Sequence, residues 1–382
     1  MTAQVGEPAP PRYGGGALPD LLPSVLAALG VPGETGLLDL QLPPRVAVLL
    51  VDGLGAELLA ANRAYAPFLA GLLAAGRTLT AGFPSTTAAS LTSLGTGLPP
   101  GAHGVLGYQV RRPDGRVLKT LAWKPEDVDP LTWQPHRTAF QRAAAAGVAV
   151  SAVGPRRFQG SGLTMAAFRG ARPLGADSPG EAAAATLAAL AAVEPGRRAL
   201  VYTYYGDLDA TGHRAGCSSL AWQLQLAHAD RLAEQIAAGL PAGSALVVTA
   251  DHGMVDVPVG ERRDVDDEPD LAAGVAVLAG EPRARYVHAV PGAAADVLAA
   301  WREALGGGWW VRSREEAVAA GWFGPAVDSE MAARIGDVVA AAHGTGAVVS
   351  TKAEPAESGL LGHHGSLTTA EQLVPLLVTA RY

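Results

Sequence analysis

Four apolar runs set the terms on which this chain can fold. Residues 45–51 read Arg-Val-Ala-Val-Leu-Leu-Val, and 148–153, 198–205 and 245–249 have the same character. Continuous runs of this kind, rich in β-branched residues and without an alternating polar face, mark strands buried on both sides, as in a parallel sheet. Helical patterns fall between and after them at 136–146, at the Ala-rich 179–193 and at the long amphipathic 218–240. Strands alternating with helices predict an α/β fold, a doubly wound and mostly parallel sheet flanked by helices. The chain contains no internal repeat.

Three of the four runs lead into acidic residues. Asp52 opens Asp-Gly-Leu-Gly55, residues 198–205 lead into Gly206-Asp-Leu-Asp-Ala-Thr-Gly-His213, and 245–249 lead into Ala250-Asp-His-Gly-Met254. Open α/β sheets bind ligands at the carboxyl ends of their strands. An aspartate there serves equally well as an N-cap, for a helix over 56–61 in the case of Asp52. Asp209 and His213 stand four apart within a glycine-containing turn, where they can face one metal or act as a helix cap beside a solvated imidazole. Asp251 and His252 are adjacent, and His364 closes a histidine pair just before a glycine. Imidazole nitrogen and carboxylate oxygen are both zinc ligands.

Between the first and second strands lies a stretch of small residues and hydroxyls, 80–107. Pro84 and Ser85 close an extended segment, and a helix is predicted from Thr86 to Leu94, ending at Gly95 and Gly97. A hydroxyl in the first turn faces the positive end of the helix dipole, which favours an alkoxide or an attached phosphoryl group. The plain alternative is a threonine N-cap on a buried helix. Two Asp/His sets with a hydroxyl between them suit two-metal phosphoryl transfer.

Composition narrows the function classes. Hydrophobic residues make up 49% and charged residues 17% of the 382, so a sizeable core forms and global disorder is excluded. The net charge is −7 and the 29 basic residues are thinly spread, so no nucleic-acid surface is expected. One cysteine, Cys217, excludes a disulfide framework and a cysteine-rich zinc site. No signal peptide or membrane span is legible, and a cytoplasmic protein is expected.

The remaining pattern divides the chain. Residues 1–16, rich in Pro and Gly, read as a loose arm, 18–29 as a helix, and 107–119 as a hairpin turning at Pro113-Asp-Gly115. A catalytic core is expected over 17–254 plus 352–382, with a smaller α+β insertion over 255–351. Within the insertion 261–270 is charged and exposed, and 286–290, 293–305, 309–312 and 313–320 read as strand, helix, strand and short helix. The core resumes at Leu360, with a helix over 369–373 and a last strand over 375–379.

The order of these motifs resembles the alkaline-phosphatase superfamily, most closely its nucleotide pyrophosphatase/phosphodiesterase branch. The matching stretches are Val51-Asp-Gly, Phe83-Pro-Ser-Thr-Thr87, Thr96-Gly-Leu-Pro-Pro-Gly-Ala-His103-Gly, Asp209-Ala-Thr-Gly-His213, Thr249-Ala-Asp-His-Gly-Met254 and His364-Gly-Ser. They span residues 45–379, with a poor match through the insertion. The resemblance implies two zinc ions, one held by Asp209, His213 and His364, the other by Asp52, Thr87, Asp251 and His252. It implies Thr87 as the nucleophile, nine residues before the Thr of Thr96-Gly-Leu, in preference to Thr86, and His364 in preference to His363. His103 is expected to be structural.

The resemblance further implies a metal-dependent hydrolase of phosphodiester or pyrophosphate bonds, working through a phosphothreonine on a small phosphodiester or nucleotide. At the position where the branch carries a phosphate-binding Asn, 21 residues after the nucleophile, this chain has Tyr108, a phenol able to donate to the same oxygen. No Arg or Lys follows Thr87 before Arg111, so diesters are expected to react faster than monoesters unless Arg262, Arg263 or Lys352 reaches the site. The alternatives are a phosphomonoesterase or phosphonate hydrolase of the same superfamily, and a non-catalytic scaffold with this fold. The intact set of ligand-type residues argues against the scaffold.

Overall fold

The computed structural model describes residues 7–194 and 196–382 of the chain. A seven-stranded sheet runs through its centre in the order Arg77–Thr80, Leu373–Arg381, Ser244–Thr249, Arg45–Val51, Ala199–Tyr205, Ala149–Gly154, Arg172–Gly175. All strands are parallel except Leu373–Arg381, which pairs antiparallel with both neighbours. Arg45–Val51 sits in the middle: Ala47 lies between Val201 and Leu246, and every residue from Val46 to Val51 is buried. The apolar runs therefore form a sheet buried on both faces, as their composition requires.

The strand Arg172–Gly175 lies outside the pattern read from sequence. It is a short edge strand, Arg-Pro-Leu-Gly, and proline is tolerated at an edge where its missing N–H is not needed. The small-residue stretch forms the helix Thr87–Thr96, buried throughout, with Thr86 extended at its N-cap and Gly97 left-handed at its end. Gly95 continues the helix instead of ending it. A Cβ at Gly95 would fall 2.0 Å from the Ala167 carbonyl oxygen, so the glycine serves a close crossing with the helix Gly162–Phe168.

Two further expectations change. The predicted turn around Asp209 and His213 is a helix, Asp207–Ala215. Of the expected loose arm, residues 1–6 lie outside the described residues, and 7–16 are tied down. The Asp20 carboxylate accepts from the amides of Gly15, Gly16 and Ala17 at 2.9–3.0 Å. The Tyr13 hydroxyl accepts from the Phe83 amide and donates to the Trp322 carbonyl, each at 3.0 Å.

A second sheet is formed by four antiparallel strands, in the order Val275–Glu281, Ala284–Ala289, Val338–Ala342, Trp309–Ser313. The helix Ala294–Leu305 covers it, and Val287, Val297, Trp301, Leu305 and Val338 make a separate apolar cluster. The tight link between its first two strands carries Glu281 and Pro282 back toward the carboxyl edge of the central sheet. Among the described residues no helix is long and apolar enough to cross a membrane.

Candidate metal centre

The carboxyl edge of the central sheet gathers the candidate residues. Asp52 follows Arg45–Val51, and its amide still bonds to Tyr205 across the ladder at 2.9 Å. Asp251 and His252 follow Ser244–Thr249. Asp209 and His213 lie one turn apart on the helix Asp207–Ala215, so both side chains share a face. Thr87 is the first residue of its helix, where the N–H groups have no intrahelical acceptor. His364 arrives from the far end of the chain. Its loop is stitched to the turn before Thr87: Ser85 N donates to the Gly365 carbonyl, Ser85 Oγ donates to the Ser366 carbonyl, and His364 Nδ1 lies 2.9 Å from the Ser85 carbonyl.

These side chains form two clusters. Ligand atoms of Asp209, His213 and His364 lie within 4.8 Å of one another, and so do those of Asp52, Asp251 and His252. Thr87 Oγ1 stands 3.2 Å from His252 Nε2. The rings of His252 and His364 stack at 3.6 Å, which brings the clusters side by side.

The hydrogen bonds decide which atoms face inward. A backbone carbonyl only accepts, so the imidazole nitrogen beside it carries the proton. His252 Nδ1 lies 2.9 Å from Gly253 O, His213 Nδ1 lies 2.7 Å from Gly362 O, and His364 Nδ1 faces Ser85 O. Each ring therefore turns its Nε2 toward its cluster, the arrangement that orients metal-binding histidines. The carboxylates follow the same logic. Asp52 Oδ2 accepts from the Tyr204 hydroxyl, and Asp251 Oδ1 accepts from the amides of Gly53 and His252 at 3.1 and 3.0 Å. Asp52 Oδ1, Asp251 Oδ2 and Asp209 Oδ1 are buried and have no hydrogen-bond partner.

Burial, then the charges of Asp251 and Asp209, push the Asp52 carboxyl well above its ordinary range, and burial raises Asp209. Burial, followed by the neighbouring rings of His252 and His364's other neighbour His213, holds His364 well below the usual imidazole range. Three carboxylates, each with a buried oxygen free of hydrogen bonds, face three imidazole Nε2 atoms. The residues present fit two divalent metals.

Neighbouring candidates are placed differently. His363 Nε2 bonds the Leu360 carbonyl at 3.1 Å, outside either cluster. His103 is closed on both sides: Nδ1 accepts from the Val105 amide and Nε2 meets Ser93 Oγ at 2.9 Å. Tyr108 stands near Thr87, but its hydroxyl donates to Glu357 Oε1 at 2.8 Å instead of being free for a phosphate oxygen. Arg262 bonds the carbonyls of Ser358 and Leu360, Arg263 pairs with Glu268, and Lys352 reaches Asp266.

Two cavities meet at Thr87 and Asp209. One, of about 270 Å³, is largely apolar, walled by Leu121, Leu163, Phe168 and Tyr204, with Arg157 and Phe158 at its wall. The other, of about 220 Å³, is walled by Thr86, Tyr108, His213, Glu281, Glu357 and His364. Tyr204, Arg157, Phe158, Glu281 and Glu357 were not legible as site residues. The alternation of Tyr202 and Tyr204 on a strand was the one available signal, and it reads equally as core.

A profile of the type I phosphodiesterase / nucleotide pyrophosphatase family matches residues 46–367. No curated protein matches the chain by sequence. Among solved structures, an inactive murine ectonucleotide pyrophosphatase / phosphodiesterase 5 in complex with AMP is similar, with a TM-score of 0.68 and 18% identity over 88% of each chain. The human counterpart has a TM-score of 0.66 and 17% identity over 88% of this chain and 87% of its own. Phosphonoacetate hydrolase from Sinorhizobium meliloti, in complex with phosphonoformate, has a TM-score of 0.67 and 21% identity over 88% of this chain and 90% of its own. The chain belongs to the type I phosphodiesterase / nucleotide pyrophosphatase family and is a hydrolase acting on phosphoester bonds.

Proposed function

We propose that this family member cleaves small-molecule phosphodiesters through a phosphothreonine at Thr87, with zinc as its metal. Asp52, Thr87, Asp251 and His252 would hold one ion, and Asp209, His213 and His364 the other. In this reading residues 255–351 are a cap that lends Glu281 and Pro282 to the site. The observation that carries it is the place of Thr87. Its hydroxyl lies beside both open ligand clusters, at the junction of two cavities. A phosphodiester has two substituents on phosphorus, and the site has two chambers for them.

When bound, the two ions supply Lewis-acid stabilisation of the phosphoryl oxygens and lower the pKa of a coordinated hydroxyl or water. Thr87 Oγ attacks phosphorus, the ester oxygen opposite it departs and leaves as an alcohol with the proton that Thr87 gives up, and water then cleaves the phosphothreonine, releasing the other substituent as its phosphomonoester and restoring the Thr87 hydroxyl. The free N–H groups of the helix's first turn favour the negative charge gathered there. Tyr204 holds Asp52 by one oxygen and so fixes the direction of the other. The carbonyls of Gly253, Gly362 and Ser85 hold the three imidazoles in their tautomer. The apolar chamber keeps water from one substituent and favours an aromatic or alkyl group there.

The smaller chamber, walled by Glu281 and Glu357, argues against the nearest rivals. Among the described residues no Arg or Lys lines it, so a monoester dianion has less compensation than a diester monoanion. Diesters should be favoured by roughly ten- to a hundredfold, from about 1–3 kcal/mol of uncompensated charge. A carboxylated phosphonate would set its carboxylate against Glu281 or Glu357. The test is a pair of variants assayed on matched nitrophenyl diesters and monoesters. Thr87→Ala should abolish turnover in a folded protein, and Thr86→Ala should keep much of it. Equal losses, or full activity in Thr87→Ala, overturn the nucleophile.

A further inference from the structure

The larger chamber has a cation where the smaller has acids. Among the described residues Arg157 is the one Arg or Lys that lines either chamber. It sits in the short 3-10 helix Arg156–Phe158, which follows the strand Ala149–Gly154 at the carboxyl edge of the central sheet. The first residue anchors this turn. Arg156 pairs with Asp177 at 2.6 Å and with Glu181 at 3.3 Å, and its amide donates to Asp177 Oδ1 at 2.9 Å. The nearby carboxylates are thereby taken. Among the described residues Arg157 has no hydrogen bond or ion pair, and Asp177 acts on it only as a more distant charge. Arg157 and Phe158 are both exposed. The guanidinium carbon stands 4.5 Å from the centre of the Phe158 ring, which meets Tyr204 edge-on at 6.1 Å. Tyr204 in turn donates to Asp52. A second donor in the same wall is open: the hydroxyl of Tyr202, a residue 2% exposed, has no hydrogen-bond partner.

A guanidinium laid on an aromatic face keeps its in-plane N–H groups for an oxyanion, which it meets with two parallel bonds. The ring also holds the cation in place, so less freedom is lost when an anion binds. The smaller chamber, with Glu281 and Glu357 in its wall, repels the same group. Building on the reading of this protein as a phosphodiesterase, we propose that the substituent held in the larger chamber is an apolar body ending in an oxyanion, which Arg157 recognises. The rings and leucines of the chamber cover the body, and its charged end lies at Arg157, where the wall is exposed. The substrate class is then a phosphodiester with one amphipathic, acidic arm. The unlike walls of the two chambers orient such a diester, with the acidic arm toward Arg157.

The experiment uses two p-nitrophenyl diesters whose second arm is a 4-(2-carboxyethyl)phenyl group or its carboxamide. The ethylene spacer insulates phosphorus from the acid, so the two esters differ in charge and not in intrinsic reactivity. With zinc-loaded protein, kcat/KM for the acid should exceed that for the amide by fivefold or more. Arg157→Gln should bring the ratio to one or below, and Arg157→Lys, which keeps the charge without the planar fork, should keep part of it. A ratio near one or below in the unaltered protein overturns the proposal, as does a ratio unchanged in Arg157→Gln. Calorimetry with the two matching aryl phosphates reads the subsite without turnover. Fivefold tighter binding of the carboxylate supports the proposal, and equal binding, or binding of neither, overturns it. Turnover of the amide ester reports separately on the phosphodiesterase reading. If neither ester is cleaved, that reading fails and the calorimetry alone decides the subsite.

Discussion

The carboxylates at the strand ends and those that anchor the second sheet are almost equally buried, yet they are built on opposite rules. Glu371 and Glu354 are 0% and 4% exposed, and each takes a bidentate pair of bonds from a buried arginine, Arg283 and Arg285 respectively. Glu371 also accepts from the Ser366 amide. Asp251 and Asp52 are 0% and 2% exposed and pair with no Arg or Lys among the described residues, and each keeps one oxygen without a hydrogen-bond partner. The histidines divide in the same way. His103 has both ring nitrogens occupied, whereas His213, His252 and His364 each turn Nε2 toward open carboxylates. Burial alone therefore does not separate framework from function. The closure of the hydrogen bonds does, because an open buried atom is retained only where a ligand completes it.

The contrast is most sharply tested at Asp52. Asp52→Asn should lower turnover at least about a thousandfold, some 4 kcal/mol in the barrier. In the chelated protein the same change should raise the urea midpoint, because it removes repulsion with Asp251 and Asp209. A lower midpoint would place Asp52 with the framework residues. Glu371→Gln should behave in the opposite sense and destabilise the fold by about 3 kcal/mol or more, since it strands a buried guanidinium. Urea unfolding measures this, and pairing Arg283→Met with Glu371→Leu should recover part of the loss.

Metal should stabilise only through the open cluster. Zinc at a hundredfold excess over its Kd should add about 2.7 kcal/mol per site. Elemental analysis should find two zinc ions per chain, one in His364→Ala, and two in His363→Ala. Loss of both metals in His363→Ala would break the division drawn between the paired histidines. Chelation should remove activity and zinc should restore it.

The smallest effect concerns His103, whose pKa is lowered to about 3, first by burial and then by the charge of His136. The folded protein keeps this ring neutral while the unfolded chain protonates it below about 6.5. Stability should thus be constant above that pH and fall on acidification toward pH 3, by roughly 1 kcal/mol per pH unit from this group. His103→Asn should lower stability at neutral pH and flatten the acid slope relative to the unaltered protein. An identical slope in both would show that the ring is not held neutral.

What was legible from sequence is what local pattern dictates. The apolar runs predicted buried strands because a strand covered on both faces cannot alternate. The acids after them marked the binding edge because parallel strands all end there. The hairpin at 107–119 followed from its Pro-Asp-Gly turn, and the strands Gln109–Arg111 and Val117–Lys119 pair as expected. Around Asp209 and His213 the sequence predicts a glycine-containing turn, because glycine disfavours a helix, and the structure has the helix Asp207–Ala215. Tertiary packing overrides that preference, since a Cβ at Gly212 would come 2.4 Å from the Met254 sulfur. The Ala-rich strand Val338–Ala342 carried too little β-branching to be seen, and it exists as a central strand of its sheet.

The states of the side chains belong to the tertiary structure alone. Tyr204 meets Asp52 across 152 residues, Tyr108 meets Glu357 across 249, and Ser85 holds His364 across 279. Such pairings leave no mark on the segments that make them, because neither residue changes the local periodicity that sequence reading relies on. The chain's own pattern determined where aspartates, histidines and a threonine would gather. Only the packed fold decided which oxygen stays open, which imidazole nitrogen faces inward and which tyrosine is already engaged, since each depends on a partner brought near by the sheet rather than by the chain.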